Sequence, residues 1–215
     1  MLSIAEAADI MGRDMGFAYR TKKQRGEQMN KKNIRIAGFT GSLRQGSYNK
    51  AALRAAGELM PDGSELEIVD LADLPFLNED VEAAGVPVSV EAFKQKLGGA
   101  DGVLIATPEY NYSIPPVLKN ALDWASRGKE PPLYGKPLAI MSASPGMFGG
   151  ARAQYHLRQV CVSLNLIPLN KPEVMIARAN TKFSAEGVLE DERTRQVIKK
   201  LLEALVLSVR KSQEK

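Results

Sequence analysis

Ile34-Arg35-Ile36-Ala37-Gly38-Phe39-Thr40 runs directly into Gly41-Ser42-Leu43-Arg44-Gln45-Gly46-Ser47-Tyr48-Asn49, and the fold is decided by how these residues are read. A short apolar run, a small-residue polar turn and the start of a helical pattern in immediate succession are a βα unit. The helical spacing of Ala, Leu and Met continues over residues 48–60 and is closed by Pro61-Asp62-Gly63. The turn supplies hydroxyls at Ser42 and Ser47, an amide at Asn49, a cation at Arg44 and glycines for close backbone approach. It ends at a helix N-terminus, where unpaired N–H groups and the helix dipole favour an anion. A P-loop is excluded, because Ser47 stands where GxxxxGK[ST] requires Lys, and GxGxxG is absent too. The missing Lys argues against a triphosphate with magnesium and for a terminal monophosphate. The plainer alternative is a capped βα turn, with Ser47 as a good N-cap.

Outward from this unit the strand–helix alternation repeats. Leu66–Asp70 reads as a second strand and residues 88–98 as a helix ending at Gly98-Gly99. Gly102–Thr107 is a buried strand, followed by a helix over Pro115–Ser126 with proline in its first turn. Pro137–Ser142 is another buried strand, and helices follow over residues 150–164 and 190–211 with a strand at Pro172–Ile176 between them. Three of the strands are near-continuous apolar runs, which implies a parallel sheet covered on both faces. Repeats of this kind specify a doubly wound α/β sandwich. Residues 33–215 read as one domain. Residues 1–32 hold four methionines, a basic cluster and no strand pattern, and read as a peripheral, poorly ordered extension.

Composition narrows the function classes. Of 215 residues, 44% are hydrophobic and 25% charged, as in an ordinary globular protein. The net charge of +4 is uneven: residues 1–32 hold seven basic and four acidic residues, leaving the remainder close to neutral. No basic stripe or readout module points to nucleic acid. No apolar run approaches a membrane span, and Glu6, Asp9 and Asp14 stand where a signal peptide would need an apolar stretch. The one cysteine, Cys161, lies in an apolar stretch and reads as a small buried hydrophobe, in keeping with a cytoplasmic location. It can build neither a disulfide framework nor a zinc site, and no metal is expected.

Ligands of open parallel sheets bind beyond the carboxyl ends of the strands. Two more loops at such ends stand out. Thr107-Pro108-Glu109-Tyr110-Asn111-Tyr112-Ser113-Ile114-Pro115-Pro116 is stiff and flat-faced, suited to the polar edge and face of a planar heterocycle. Ser142-Ala143-Ser144-Pro145-Gly146-Met147-Phe148-Gly149-Gly150-Ala151-Arg152 again allows close approach. Each alone also reads as an ordinary turn. Together, one loop gripping a phosphate and two gripping something flat fit a mononucleotide with a large ring system.

The GSLRxGSxN, TPEYN and glycine-rich SxGxxGG segments resemble the NADPH-dependent FMN reductases, and most of all the bacterial quinone reductases also described as chromate reductases. The likeness runs from about residue 34 to about residue 205. It includes Leu118-Lys119-Asn120-Ala121-Leu122-Asp123-Trp124 and the stretch from Gly149 to Gln159. The resemblance implies a flavodoxin-like three-layer sandwich whose five-stranded parallel sheet has the order 2-1-3-4-5. It also implies bound FMN, NADPH or NADH as co-substrate, and a homodimer or homotetramer. Electrons would pass by ping-pong hydride chemistry to small acceptors: quinones, flavins, azo compounds or chromate. A flavodoxin-type electron carrier is the alternative. Ser42, Arg44, Ser47 and Asn49 are the residues expected at the FMN phosphate, and Tyr48 is expected to bind the cofactor beside them. Pro108, Glu109, Tyr110 and Asn111 are expected along the ring, and Ser144 and Gly146 at its third side. Pro145 departs from the pattern. No catalytic side chain is expected, since the flavin carries the chemistry. His156, the single histidine, reads as structural. Arg152, Tyr155 and Glu173 are expected to cluster at a subunit interface, and Arg44 and Arg127 to favour NADPH over NADH.

Overall fold

In the computed structural model, which describes residues 33–214, a parallel sheet is built from β1 (Ile34–Thr40), β2 (Ser64–Ile68), β3 (Gly102–Ala106), β4 (Pro137–Ala143), β5 (Ile167–Pro168) and β6 (Val174–Ile176). The N-terminal extension expected at residues 1–32 lies outside the described residues. The helices are α1 (Tyr48–Glu58), α2 (Glu79–Ala84), α3 (Val88–Gly99), α4 (Pro116–Ser126), α5 (Ala151–Ser163) and α6 (Glu192–Gln213). Every strand pair is parallel, and the order is β2-β1-β3-β4-β5, with β6 also on β4. This is the flavodoxin-like order with one refinement. The fifth position is shared: β5 pairs Pro137–Leu138 at the start of β4, and β6 pairs Met141–Ala143 at its end. Pro168 and Pro172 frame the gap, and proline supplies no ladder donor.

The apolar runs are continuous because alternate residues enter different cores. Ile34, Ile36, Leu104, Ala106, Ala139 and Met141 face a core shared with α1 and α6. Ala37, Phe39, Val103, Ile105, Leu138 and Ile140 face the opposite core, with α3, α4 and α5. A strand with a period of two and a helix layer on each side buries both of its rows, and in β1, β3 and β4 only Arg35, near the start of β1, reaches solvent. β2 is the exception: it lies at the sheet edge and exposes Glu65 and Glu67. Glu67 pairs with Lys96 of α3 at 3.1 Å.

Two further features bear on the site. β1 is followed by α1 on one face, whereas its neighbour β3 is followed by α4 on the other. The chain leaves adjacent strand tips in opposite directions, so a crevice opens between β1 and β3, at the reversal of strand order. Gly41 closes the floor of that crevice. A Cβ there would lie 2.7 Å from Leu118 Cβ and 2.8 Å from Pro115 Cγ, so only glycine lets the first loop lie on the start of α4. On the far side of α4, Asn120 and Trp124 both donate to Pro75 O, at 2.9 and 2.8 Å, and Asn120 Oδ1 accepts from Leu77 N–H. That accounts for the polar groups on the buried face of this helix.

Candidate cofactor site

The crevice holds a cavity of about 430 Å³ lined by Ser42, Arg44, Ser47, Tyr48, Asn49, Pro108, Glu109, Tyr110, Ala143, Ser144 and Pro145. Its size falls within the ~300–1,000 Å³ of small-molecule sites. All three loops singled out in the sequence meet here. Asn111 and Gly146 do not line it, whereas Ala143 and Pro145 do.

At one end stands the α1 N-terminus. Ser47 is its N-cap: the backbone is extended there, and Oγ accepts from Lys50 N–H at 3.3 Å. A hydroxyl that accepts this bond still has its own proton to donate. The first N–H groups of the helix, on Tyr48 and Asn49, have no intrahelical acceptor. Arg44 packs its guanidinium over the Tyr48 ring at 5.5 Å and has no carboxylate partner among the described residues. The capped turn and the anion cradle, posed as alternatives, are therefore one structure.

Asn49 differs from expectation. Its amide Nδ2 donates to Ala143 O at 2.9 Å, and its Oδ1 accepts from Ala143 N–H at 2.9 Å. Asn49 is 3% exposed. The cause lies in strand length. β4 runs beyond β3, whose last partner on this strand is Met141, and Met141 O still accepts from Thr107 N–H. Two residues further, Ala143 turns its main-chain groups to the same side with no strand left to pair them. The carboxamide of Asn49 stands in for the missing peptide. Its side chain is thus committed to holding the phosphate-side loop against the third loop, and only its main-chain N–H faces a ligand role.

Glu109 lines the cavity, but its carboxylate points at α5. It accepts from Arg152 N–H at 3.1 Å and Ala153 N–H at 3.4 Å, and pairs with Arg152 Nη1 at 3.0 Å. This is a carboxylate on a helix N-terminus. The Arg152 guanidinium is in turn sandwiched between the rings of Tyr112 (4.0 Å) and Phe148 (4.3 Å). Asn111 and Tyr112, with φ of 48° and 69°, form the tip of a two-residue turn closed by Tyr110 N–H to Ser113 O (2.9 Å) and Ser113 N–H to Tyr110 O (3.0 Å). That turn carries the Asn111 side chain away from the cavity. Gly146 is drawn to the other side, where its carbonyl accepts from Arg178 N–H at 3.2 Å. Gly150, with φ of 88°, starts α5 so close to β4 that a Cβ would meet Ser142 Cβ at 2.7 Å.

Other expected residues fall elsewhere. Arg127 sits at the C-terminal end of α4, opposite the end that meets the crevice. Its Nε donates to both Glu82 oxygens, at 3.0 and 2.9 Å, and this bond holds the Glu82 carboxyl below its ordinary range. It contributes no charge to the cavity. Of Arg152, Tyr155 and Glu173, Arg152 stands apart, paired with Glu109, whereas Glu173 pairs with Lys171 at 2.8 Å and Tyr155 lies near the same lysine. His156 is exposed on α5, its Nδ1 3.1 Å from Ser113 Oγ. Cys161 is buried, and burial pushes its thiol up to about 11. Among the described residues no group of His, Cys, Asp or Glu could hold a metal ion, and no helix is long and apolar enough to cross a membrane. Sequence reasoning missed Gln154, buried in α5, which donates to Ser142 Oγ and Val174 O, both at 2.8 Å. A glutamine at an inward position of an amphipathic helix was the available signal.

Comparison with known proteins agrees with this geometry. The NADPH-dependent FMN reductase family model matches residues 34–181. An NAD(P)H-dependent FMN reductase of Pseudomonas aeruginosa is 54% identical over 179 residues, 83% of this chain and 97% of that protein. An NAD(P)H:quinone oxidoreductase of Solanum tuberosum is 49% identical over 178 residues, 80% of this chain and 91% of that protein. Among solved structures, a flavoenzyme NAD(P)H:(acceptor) oxidoreductase of Paracoccus denitrificans superposes with a TM-score of 0.76 at 33% identity, covering 83% of this chain and 98% of that one. The strand order, the crevice and these likenesses together make the chain a member of the NADPH-dependent FMN reductase family.

Proposed function

We propose that residues 33–215 bind FMN in the crevice and that the protein transfers electrons from NAD(P)H to small acceptors, quinones foremost. One observation carries the reading. Among the described residues, Arg44 has no carboxylate partner and the first N–H groups of α1 have no acceptor, and together they form one end of a cavity whose one lining carboxylate, Glu109, is neutralised by Arg152 and α5. The site has net positive charge at the phosphate end and no buried negative charge to oppose an anion. FMN fits these residues in both halves: a phosphate at Arg44, Ser42, Ser47 and the α1 N-terminus, and a flat ring against Pro108, Tyr110, Ser144 and Pro145.

FMN held by these residues would supply the redox chemistry between NAD(P)H and the acceptor, in the ping-pong order proposed here. The chain's own groups bind and orient. Arg44 and the Ser47 hydroxyl neutralise and hold the phosphate. Asn49 fixes the spacing between the phosphate loop and the third loop. Pro108 and Pro145 present ring surfaces without donors. Among the described residues the Glu109 N–H has no hydrogen-bond acceptor, which leaves a donor at the cavity wall for negative charge on the ring edge. No acid–base side chain is assigned. Acceptors beyond quinones, including azo compounds and chromate, need only the same open ring face.

Purified protein titrated with FMN should quench flavin fluorescence at one site per chain, and the loaded protein should oxidise NADPH steadily with a benzoquinone. Failure to bind FMN refutes the reading. Binding without turnover of NADPH by the protein alone would make it an electron carrier. We further propose that the outer face of α5 meets a second copy, as a dimer or tetramer, because Tyr155 and Val162 stand 56% and 80% exposed there. Arg152→Ala removes the guanidinium at the edge of that face and should shift the sedimentation coefficient toward the monomer; an unchanged profile counts against it. With its single thiol unlinked, the protein suits a reducing cytoplasm.

A further inference from the structure

Where the chain leaves β3 it forms one wall of the cofactor cavity, and the main-chain donors from Thr107 to Tyr110 can be accounted for one by one. Thr107 N–H donates to Met141 O at 2.9 Å, Tyr110 N–H donates to Ser113 O at 2.9 Å, and Pro108 has no N–H. Glu109 N–H is the donor of this stretch that has no acceptor among the described residues. It belongs to the Pro108–Glu109 peptide, which is trans and planar, so its C=O and N–H lie on opposite edges of one plate. Whatever holds the carbonyl therefore aims the N–H. The holder is Thr107, which is 0% exposed: its Oγ1 donates to Pro108 O at 2.8 Å. A buried hydroxyl needs a partner, and this one spends its proton on the neighbouring carbonyl rather than on the sheet.

The far side of the same peptide is held by the Glu109 side chain. α5 starts from Gly150, which has no side chain with which to cap the helix. The Glu109 carboxylate takes that place, accepting from Arg152 N–H at 3.1 Å and Ala153 N–H at 3.4 Å and pairing with Arg152 Nη1. A residue anchored in this way cannot turn its main chain without giving up donors on α5. Between the two anchors Pro108 has its φ fixed by its ring. The peptide is thus pinned on both sides, and neither pinning group is itself turned to a ligand: the Thr107 hydroxyl meets a carbonyl and the Glu109 carboxylate meets a helix. Given the reading of this cavity as the FMN site, on which the step rests, we propose that Thr107 and Glu109 are positioning residues. They hold the Pro108–Glu109 peptide so that its N–H donates to the edge of the flavin ring and raises the site's preference for the reduced ring. Reduction adds negative charge to that edge, and a donor fixed beforehand stabilises the charge with no cost of reorganisation.

The test is the midpoint potential of bound FMN, which reports the ratio of the site's affinities for the reduced and the oxidised cofactor. It is measured on the FMN-loaded full chain by equilibration with a reference dye. Thr107→Val keeps the branched shape and removes the hydroxyl, and Thr107→Ser restores it. Glu109→Asp keeps the charge but is one methylene too short to reach α5 from the same main-chain position. Thr107→Val should cut the preference for the reduced ring about tenfold, lowering the midpoint by about 30 mV for a two-electron couple. Thr107→Ser should recover most of this, and Glu109→Asp should move the midpoint in the same direction as Thr107→Val. Far-UV circular dichroism and FMN content verify folding; should one of the two variants fail to fold, the other decides. Residues that merely brace the fold would weaken both oxidation states alike and leave the midpoint where it was. A midpoint that holds or rises in either folded variant overturns the assignment and leaves the cavity reading intact. A native protein that binds no FMN overturns both.

Discussion

Replacing Asn49 with alanine should destabilise the protein before any ligand is considered. The substitution deletes two 2.9 Å hydrogen bonds and strands the N–H and C=O of Ala143, a residue 3% exposed, at the end of β4. Each buried main-chain group left without a partner costs about 1–3 kcal/mol. Water entering the space of the lost carboxamide offsets part of that, giving a net loss of about 3 kcal/mol. For a chain of this size, 1 kcal/mol corresponds to ~2–4 °C in Tm, so the apo protein should melt about 6–12 °C lower. Asn49→Asp should fare no better at neutral pH: it can still accept from Ala143 N–H but turns a second oxygen onto Ala143 O. The assay is thermal unfolding by circular dichroism without flavin, since FMN adds its own stabilisation by mass action. A fall of less than about 2 °C in Asn49→Ala would show that the carboxamide does not hold Ala143, and would return it to the phosphate.

Arg44→Ala should raise the Kd for FMN about tenfold to a hundredfold through loss of a charge-assisted contact, with riboflavin binding little changed, as read by fluorescence titration; full flavin content after dialysis would mean the cradle is misassigned. Cys161 should resist Ellman's reagent at pH 8 in the folded protein and react on unfolding, because it is buried with its thiol pushed up to about 11. In the unfolded chain the thiol ionises near 8.5, so the folded state binds more protons between these values. Its contribution to stability is complete below about pH 8.5 and is lost as pH rises toward 11, which denaturant midpoints across that range would show; a midpoint that rises there would contradict the burial.

β1, β3 and β4 were legible because both of their faces are buried, which leaves a near-continuous apolar run, broken in β1 only by the exposed Arg35. The phosphate loop was legible because its donors sit close together in sequence. What escaped reading depended on distant partners. The Asn49 amide is claimed by a residue 94 positions away and the Glu109 carboxylate by Arg152, 43 positions away, so both looked available to a ligand. The tip at Asn111-Tyr112 takes two positive φ values without a glycine, and nothing in the composition of that loop announces such a turn. α2 buries no residue and so has no apolar stripe to detect, although Asn78 caps it by accepting from Asp80 N–H at 2.9 Å. β5 is too short for a periodic signal and contains a proline.

The two margins of the sheet are unlike its centre. On one side β2 sets out glutamates on an outward row; on the other, short β5 and β6 are separated by a stretch that includes Pro172. Neither border favours pairing with another strand, the first because it is short and charged, with Glu65 and the Glu67–Lys96 pair along it, and the second through want of consecutive donors. Among the described residues the β-layer therefore offers a poor template for a further strand, which leaves helical surfaces as the ones through which folded chains can meet.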